Sequence, residues 1–198
     1  MACDGLLDGN ILFDCDYGTV AGLEVNVVII NRSQIDVTST TYDASNKVLM
    51  TAFALTTGSS YTGYSFQGVK QVNSTAFELV KKDTGADKYK HIFNGVILNL
   101  SAENKLQLQQ MSEGGKYVVI VEKKWKGEDS EDAFEVYGID SGLELNVATY
   151  NSNENDGTAQ IELSSADGYE EPKLPVNLLL TDYDTTKTAF DNNFAAAS

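Results

Sequence analysis

Ser74-Thr75-Ala76-Phe77-Glu78-Leu79-Val80-Lys81-Lys82, then Asp83-Thr84-Gly85-Ala86-Asp87, then Lys88-Tyr89-Lys90-His91-Ile92-Phe93-Asn94-Gly95-Val96-Ile97-Leu98-Asn99-Leu100 is the stretch on which the fold turns. Both flanks have strand composition and the joint between them has turn chemistry, so the segment predicts one long antiparallel hairpin. Its tip is densely charged, with Glu78, Lys81, Lys82, Asp83, Asp87, Lys88 and Lys90. A two-stranded ribbon standing alone is marginal in water. A long projecting hairpin therefore predicts a covering partner, for which a neighbouring copy of the chain is the first candidate. Phe77, Leu79, Ile92 and Phe93 are the apolar residues expected to make that contact, with Lys82, Asp83, Asp87 and Lys88 around them at the tip.

Strand signals continue on both sides of the hairpin. Upstream, Leu23 to Ile30 alternates and then becomes continuously apolar, as expected of a strand buried on both faces at one end. Ile35 to Tyr42 and Val48 to Leu55 read as a hairpin around Asp43-Ala44-Ser45-Asn46, and Tyr61 to Val69 as a further strand. Downstream, Ser101 is a good N-cap for a helix over Ala102 to Ser112, stopped by Gly114-Gly115. Strands are expected at Tyr117 to Trp125, Ala133 to Ile139, Leu143 to Tyr150, Thr158 to Leu163 and Leu174 to Leu180, the last with Pro175 at its start. Thr181 or Asp182 caps a weaker terminal helix from Tyr183 to Phe194. The expectation is a mainly β, antiparallel chain with one flanking helix: an arm over residues 1–16, one β-rich domain over 17–190, and a tail over 191–198.

Composition narrows the function classes. Of 198 residues, 42% are hydrophobic, enough for one self-sufficient core. Against 14 basic residues stand 29 acidic ones, a net charge of -15 that repels phosphate and argues against recognition of nucleic acid or of an anionic bilayer. The same charge suits a conduit through which DNA slides, because a repelling wall offers no sticking points. No run approaches the roughly 18 apolar residues of a membrane-spanning helix. Asp4, Asp8, Asp14 and Asp16 stand where an export signal carries Lys or Arg, so the chain is expected to stay in the cytoplasm where it is made. Cys3 and Cys15 supply neither a disulfide framework nor a metal pair and read as idle thiols, a Cys3–Cys15 bridge being the alternative.

Candidate catalytic groups are few. His91 is the only histidine, so any triad or histidine-containing zinc site must be built on that ring, and an exposed or hydrogen-bonded strand residue is the simpler reading. Asn151, Asn153, Asn155 and Glu162 fall on a calcium-loop spacing, but amides replace carboxylates and Gly157 is one place late, so a turn is expected. Glu170-Glu171 and Asp129 with Glu131 and Asp132 are acid clusters of the kind glycoside hydrolysis uses, and are expected by chance among so many acids. Neither a phosphate-binding glycine loop nor a nucleophile elbow is present in the sequence. The expectation is no enzyme, no cofactor and no metal.

The opening Met1-Ala2-Cys3, the short arm ending near Asp16, and Gly22-Leu23-Glu24-Val25 with the early hairpin resemble the start of tail-tube-like structural proteins from phages and prophages of Bacteroides-type bacteria. Phe134 to Leu145, Asp156-Gly157 before a strand, and Glu171-Pro172 before the final strand resemble the C-terminal half of the same group. The resemblance implies a β-sandwich or rolled barrel with a flanking helix, assembled into hexameric, dodecameric or larger rings around a DNA channel, in contact with other tail or connector proteins of a virion. It implies that DNA passes through without being bound.

The expected mechanism is docking of the 74–100 hairpin on an adjacent subunit's sheet by strand addition, with backbone hydrogen bonds for strength and alternate side chains for register. The alternative is a surface β-sandwich that binds glycan or protein, with Trp125 and the tyrosines available for stacking. A carboxylate-based hydrolase is the third and least supported reading.

Overall fold

Val27-Val28-Ile29-Ile30 and Val118-Val119-Ile120-Val121 are buried at every position, and the two strands that carry them form the centre of the molecule. These are β1 (Leu23–Asn31) and β7 (Tyr117–Lys123), paired antiparallel with Val28 opposite Ile120 and Ile30 opposite Val118. Because successive side chains leave a strand on opposite faces, each of these runs feeds two cores. Val28, Ile30, Val118 and Ile120 join Met50, Phe53, Phe134 and Leu178 on one face. Val27, Ile29, Val119 and Val121 join Phe93, Leu143 and Leu163 on the other. That two-faced burial is why the runs are continuously apolar.

The computed structural model describes residues 7, 9–12, 15–69 and 72–196, so Cys3, Asp4, Asp8, Asp14 and the end of the tail lie outside the described residues. The remaining strands are β2 (Thr41–Tyr42), β3 (Leu49–Ala52), β4 (Tyr64–Gln67), β5 (Ser74–Val80), β6 (Lys88–Ile97), β8 (Phe134–Tyr137), β9 (Leu143–Tyr150), β10 (Ala159–Ser165) and β11 (Val176–Leu178). The 11 strands of the described residues belong to one open sheet in the order β2-β3-β11-β8-β7-β9-β10-β6-β5, with β1 on the other edge of β7 and β4 beyond it. The pairing of β11 with β3 is parallel and makes the sheet mixed. The helices are α1 (Ala102–Met111) and α2 (Tyr183–Asp191).

The sheet does not lie flat. From β4 through β1, β7, β9 and β10 to β6 is a path of five pairings, which in a flat sheet spans about 24 Å at ~4.8 Å per step. Yet the rings of Phe66 on β4 and Phe93 on β6 lie 5.7 Å apart, edge to face, so the sheet folds over the second core. Gly95 permits this closure: a Cβ there would stand 2.8 Å from Phe66 Cζ and 3.0 Å from a ring carbon of Phe93. Gly95→Ala is expected to lower stability by about 1–3 kcal/mol through overpacking. Gly18→Ala, which adds its methyl to open space, is expected to change little, and urea midpoints compare the two.

Several elements depart from the sequence reading. The expected 35–55 hairpin shrinks to three points of pairing, Ile35–Leu55, Thr41–Ala52 and Tyr42–Met50. Asp36 causes the interruption, because its carboxylate accepts from Thr38 N, Thr38 Oγ1, Ser39 N and Ser39 Oγ and draws the backbone into a local turn. Those bonds, led by the Thr38 hydroxyl, hold the Asp36 carboxyl down at about 2.

The two helices exchange importance. The well-capped α1 buries none of its residues, whereas α2 buries Thr186 and Phe190. Past α2, Asn193 takes φ 53°, and Phe194 N donates to Ala189 O at 2.8 Å while Asn193 N donates to Phe190 O at 2.9 Å. This helix stop returns Phe194 to the core against Phe53 at 5.1 Å. Phe194 and Ala196 of the expected tail thus pack against the body.

Candidate functional site

Two features outside the apolar cores are distinctive: a buried polar corner and an open strand edge. The corner arises because β8 and β9 share one edge of β7, with Tyr137 opposite Val119 and Leu143 opposite Tyr117. Residues 138–142 form the excursion between them, entered and left through Gly138 (φ 77°) and Gly142 (φ 86°). Its backbone N–H groups converge on the fully buried Glu171, whose carboxylate accepts from Asp140 N at 2.9 Å, Ser141 N at 2.8 Å and Gly142 N at 3.2 Å. Arg32 closes the other side, its Nε donating to Ile139 O at 3.2 Å and its Nη2 to Asp140 O.

His91, 1% exposed, holds the same corner from β6. Gly138 N donates to its Nδ1 at 3.1 Å, which places the ring proton on Nε2, and Nε2 donates to Lys173 O at 3.0 Å. Burial lowers the ring's pKa to about 4, so the imidazole is neutral. Burial pushes the Glu171 carboxyl up while its three N–H partners pull it down, the burial effect being the larger. Tyr42, under the Lys173 ammonium at 4.4 Å, is raised to about 12 by burial and then by the charges of Asp140 and Glu171. With both ring nitrogens of His91 and both oxygens of Glu171 engaged by backbone, the arrangement fastens chain segments together.

A second buried carboxylate, Glu122, anchors α2 to the end of β7. It accepts from Lys126 Nζ at 2.5 Å and Tyr183 Oη at 2.8 Å, with Lys187 Nζ at 3.5 Å. Among the described residues no group of three His, Cys, Asp or Glu side chains is placed to hold a metal. In the segment with calcium-loop spacing, Asn151 Oδ1 accepts from Asn153 N at 3.0 Å, and residues 155–157 form a single tight turn.

The longest open edge is β5, which among the described residues pairs only with β6, the other edges being the short β2 and β4. The ribbon does not project free along its length. Residues 92–97 of β6 pair with β10, Tyr89 and Glu171 exchange backbone bonds of 2.8 and 2.9 Å, and Lys82 Nζ reaches Glu170 at 2.8 Å. Asp87 binds Lys81 Nζ at 2.8 Å and Lys82 N at 3.1 Å, which holds its carboxyl below the usual range. Asp83 is exposed at the turn, and Lys88 lies opposite Val80.

Register divides the expected contact residues. Phe77 faces His91, Leu79 faces Tyr89 and Thr75 faces Phe93, so these share the core side of the sheet, while Ile92 pairs with Ala76 on the reverse side. Phe93 is 0% exposed and packs on Phe66, so the expectation that it contacts a neighbour is corrected: it is core. Phe77 and Leu79 overhang that core and remain 52% and 50% exposed, with Phe77 resting on the Tyr89 ring at 6.4 Å. Sequence reasoning missed Arg32 and the role of Glu171. Their signal was the Gly138-x-x-x-Gly142 bracket between two strands, which marks an excursion whose N–H groups need an acceptor. Comparison of the chain with protein-family models, with curated proteins and with solved structures finds no match.

Proposed function

We propose that the chain is a structural subunit of a phage virion that assembles with copies of itself into a ring or stacked tube, in the tail or the head-to-tail connector, around an acidic channel for DNA. On this reading the folded-over sheet is a β-sandwich or rolled barrel whose β5 edge is completed by a neighbour, and the assembly also meets other tail or connector proteins. The observation that carries the reading is the unpaired seven-residue edge of β5 with Phe77 and Leu79 half-exposed beside it. Natural sheets keep edge strands short or covered, because an open ladder of N–H and C=O groups invites another strand. The charge of -15 supports the channel, since a wall of that sign lets phosphate slide. Mass photometry of the purified chain tests assembly: hexamers or dodecamers of the 21.5 kDa subunit are expected, and a persistent monomer contradicts the ring.

The second reading, a glycan- or protein-binding module, is favoured by a shallow hollow of about 250 Å³ whose wall includes Trp125, Lys123 and Thr75. An aromatic wall beside polar groups suits a sugar ring. It predicts the monomer and a positive glycan array.

A further inference from the structure

Residues 168–173 form a strap fastened at four points to the corner and to the β5–β6 hairpin, on the hairpin near its tip. Glu170 binds Lys82 at the hairpin tip, and the Glu171 backbone exchanges hydrogen bonds with Tyr89 of β6. The Glu171 side chain holds residues 140–142, and Lys173 O receives the Nε2 proton of His91. We infer that this strap is an acid-released latch on the hairpin, with His91 as its trigger: protonation of the ring unfastens residues 138–142 and the strap together and loosens the hairpin whose outer edge is β5. The inference rests on the assembly reading for its consequence, since the latch would regulate the edge at which a second copy docks.

The geometry explains the trigger. The neutral ring accepts from Gly138 N at 3.1 Å and donates to Lys173 O at 3.0 Å. A second proton would sit on Nδ1 and point at the Gly138 N–H, so a donor would meet a donor. It would also bring a charge to a ring that is 1% exposed, with no carboxylate hydrogen-bonded to it. Around the ring stand Tyr137 of β8, its centroid 5.6 Å away, the Ser165 hydroxyl of β10, which accepts from His91 N, and Phe77 across the pair on β5. Tyr137 is raised by burial and stays neutral. The charged groups nearby are Asp140 of the adjoining excursion and Arg32 and Glu171, which bind its backbone.

His91 titrates at about 4 in the closed form against 6.5 when free, so the closed form takes up fewer protons in that window and is lost as pH falls through it. Glu171, raised by burial, works in the opposite direction. Glu170, held at about 2 chiefly by its bond to Lys82, stays charged throughout. The geometrically unmatched change is at His91, where a donor would face the Gly138 N–H.

Hydrogen exchange of the wild-type chain at pH 7.0 and pH 4.5, corrected for intrinsic rates, tests the latch. Protection of the Tyr89, Asp140, Ser141, Gly142 and Glu171 amides is expected to fall by about tenfold or more, while β1 and β7 keep theirs. His91→Gln is expected to remove the pH dependence. A smaller fall, an equal loss in β1 and β7, or an undiminished fall in the variant overturns the inference. Should the variant not fold, the wild-type comparison decides alone. Exchange is read whatever the oligomeric state, so its failure leaves the ring standing, and a monomer with a pH-released strap keeps the latch and sinks the ring.

Discussion

Glu171→Ala is expected to lower the unfolding free energy by about 3–5 kcal/mol. Two N–H groups, those of Asp140 and Ser141, lose their acceptor, and Gly142 N keeps only its bond to Gly138 O, at a site where the replaced side chain was fully buried, so water does not substitute freely. Each orphaned buried donor costs about 1–3 kcal/mol, and the loss is not fully additive because the excursion can relax. Glu171→Gln keeps one carbonyl oxygen but turns an amide N–H toward the same donors, so an intermediate loss is expected. Urea unfolding at pH 7 with unchanged m-value measures both. If Glu171→Ala unfolds within 1 kcal/mol of wild type, roughly the level of an ordinary surface substitution, the carboxylate is not what holds the break between β8 and β9.

Phe77→Glu together with Leu79→Glu is expected to weaken self-association by at least about a hundredfold, while changing the stability of the fold by about 1 kcal/mol or less. Both side chains are half-exposed in the single chain, so the fold loses only part of their burial and the edge contact of Phe77 with Tyr89. An interface that covers them loses two apolar anchors and must accept two charges on a subunit already at -15. Sedimentation velocity at matched concentrations reads the first effect and thermal unfolding the second. Assembly that survives both substitutions places the contact elsewhere.

What could be read from the sequence followed from strong, local signals. The continuous apolar runs of β1 and β7 announced two-faced burial, and the turn at residues 83–87 set the β5–β6 register. Weak strands failed where a side chain could compete with the ladder, as Asp36 does in the shortened hairpin. Capping quality misled in a different way: Ser101 gives α1 a sound start, but a cap says nothing about burial, and α2 with its Phe190, followed by Phe194 just past its end, is the helix the core needs. At the corner, His91 reads from the sequence as an exposed or hydrogen-bonded strand residue; it is buried and hydrogen-bonded, and its partners Gly138 and Lys173 lie 47 and 82 positions away with no local pattern to connect them. Phe93 and Phe77 looked alike as strand aromatics, and only the fold-over of the sheet onto Phe66 separates core from overhang.

Hydrogen exchange across residues 74–80 as a function of protein concentration reads whether another copy completes the β5 edge. Protection there is expected to rise as the chain assembles, while β1 and β7 do not change. Equal exchange of β5 at concentrations where the chain is monomeric and where it is assembled would contradict it.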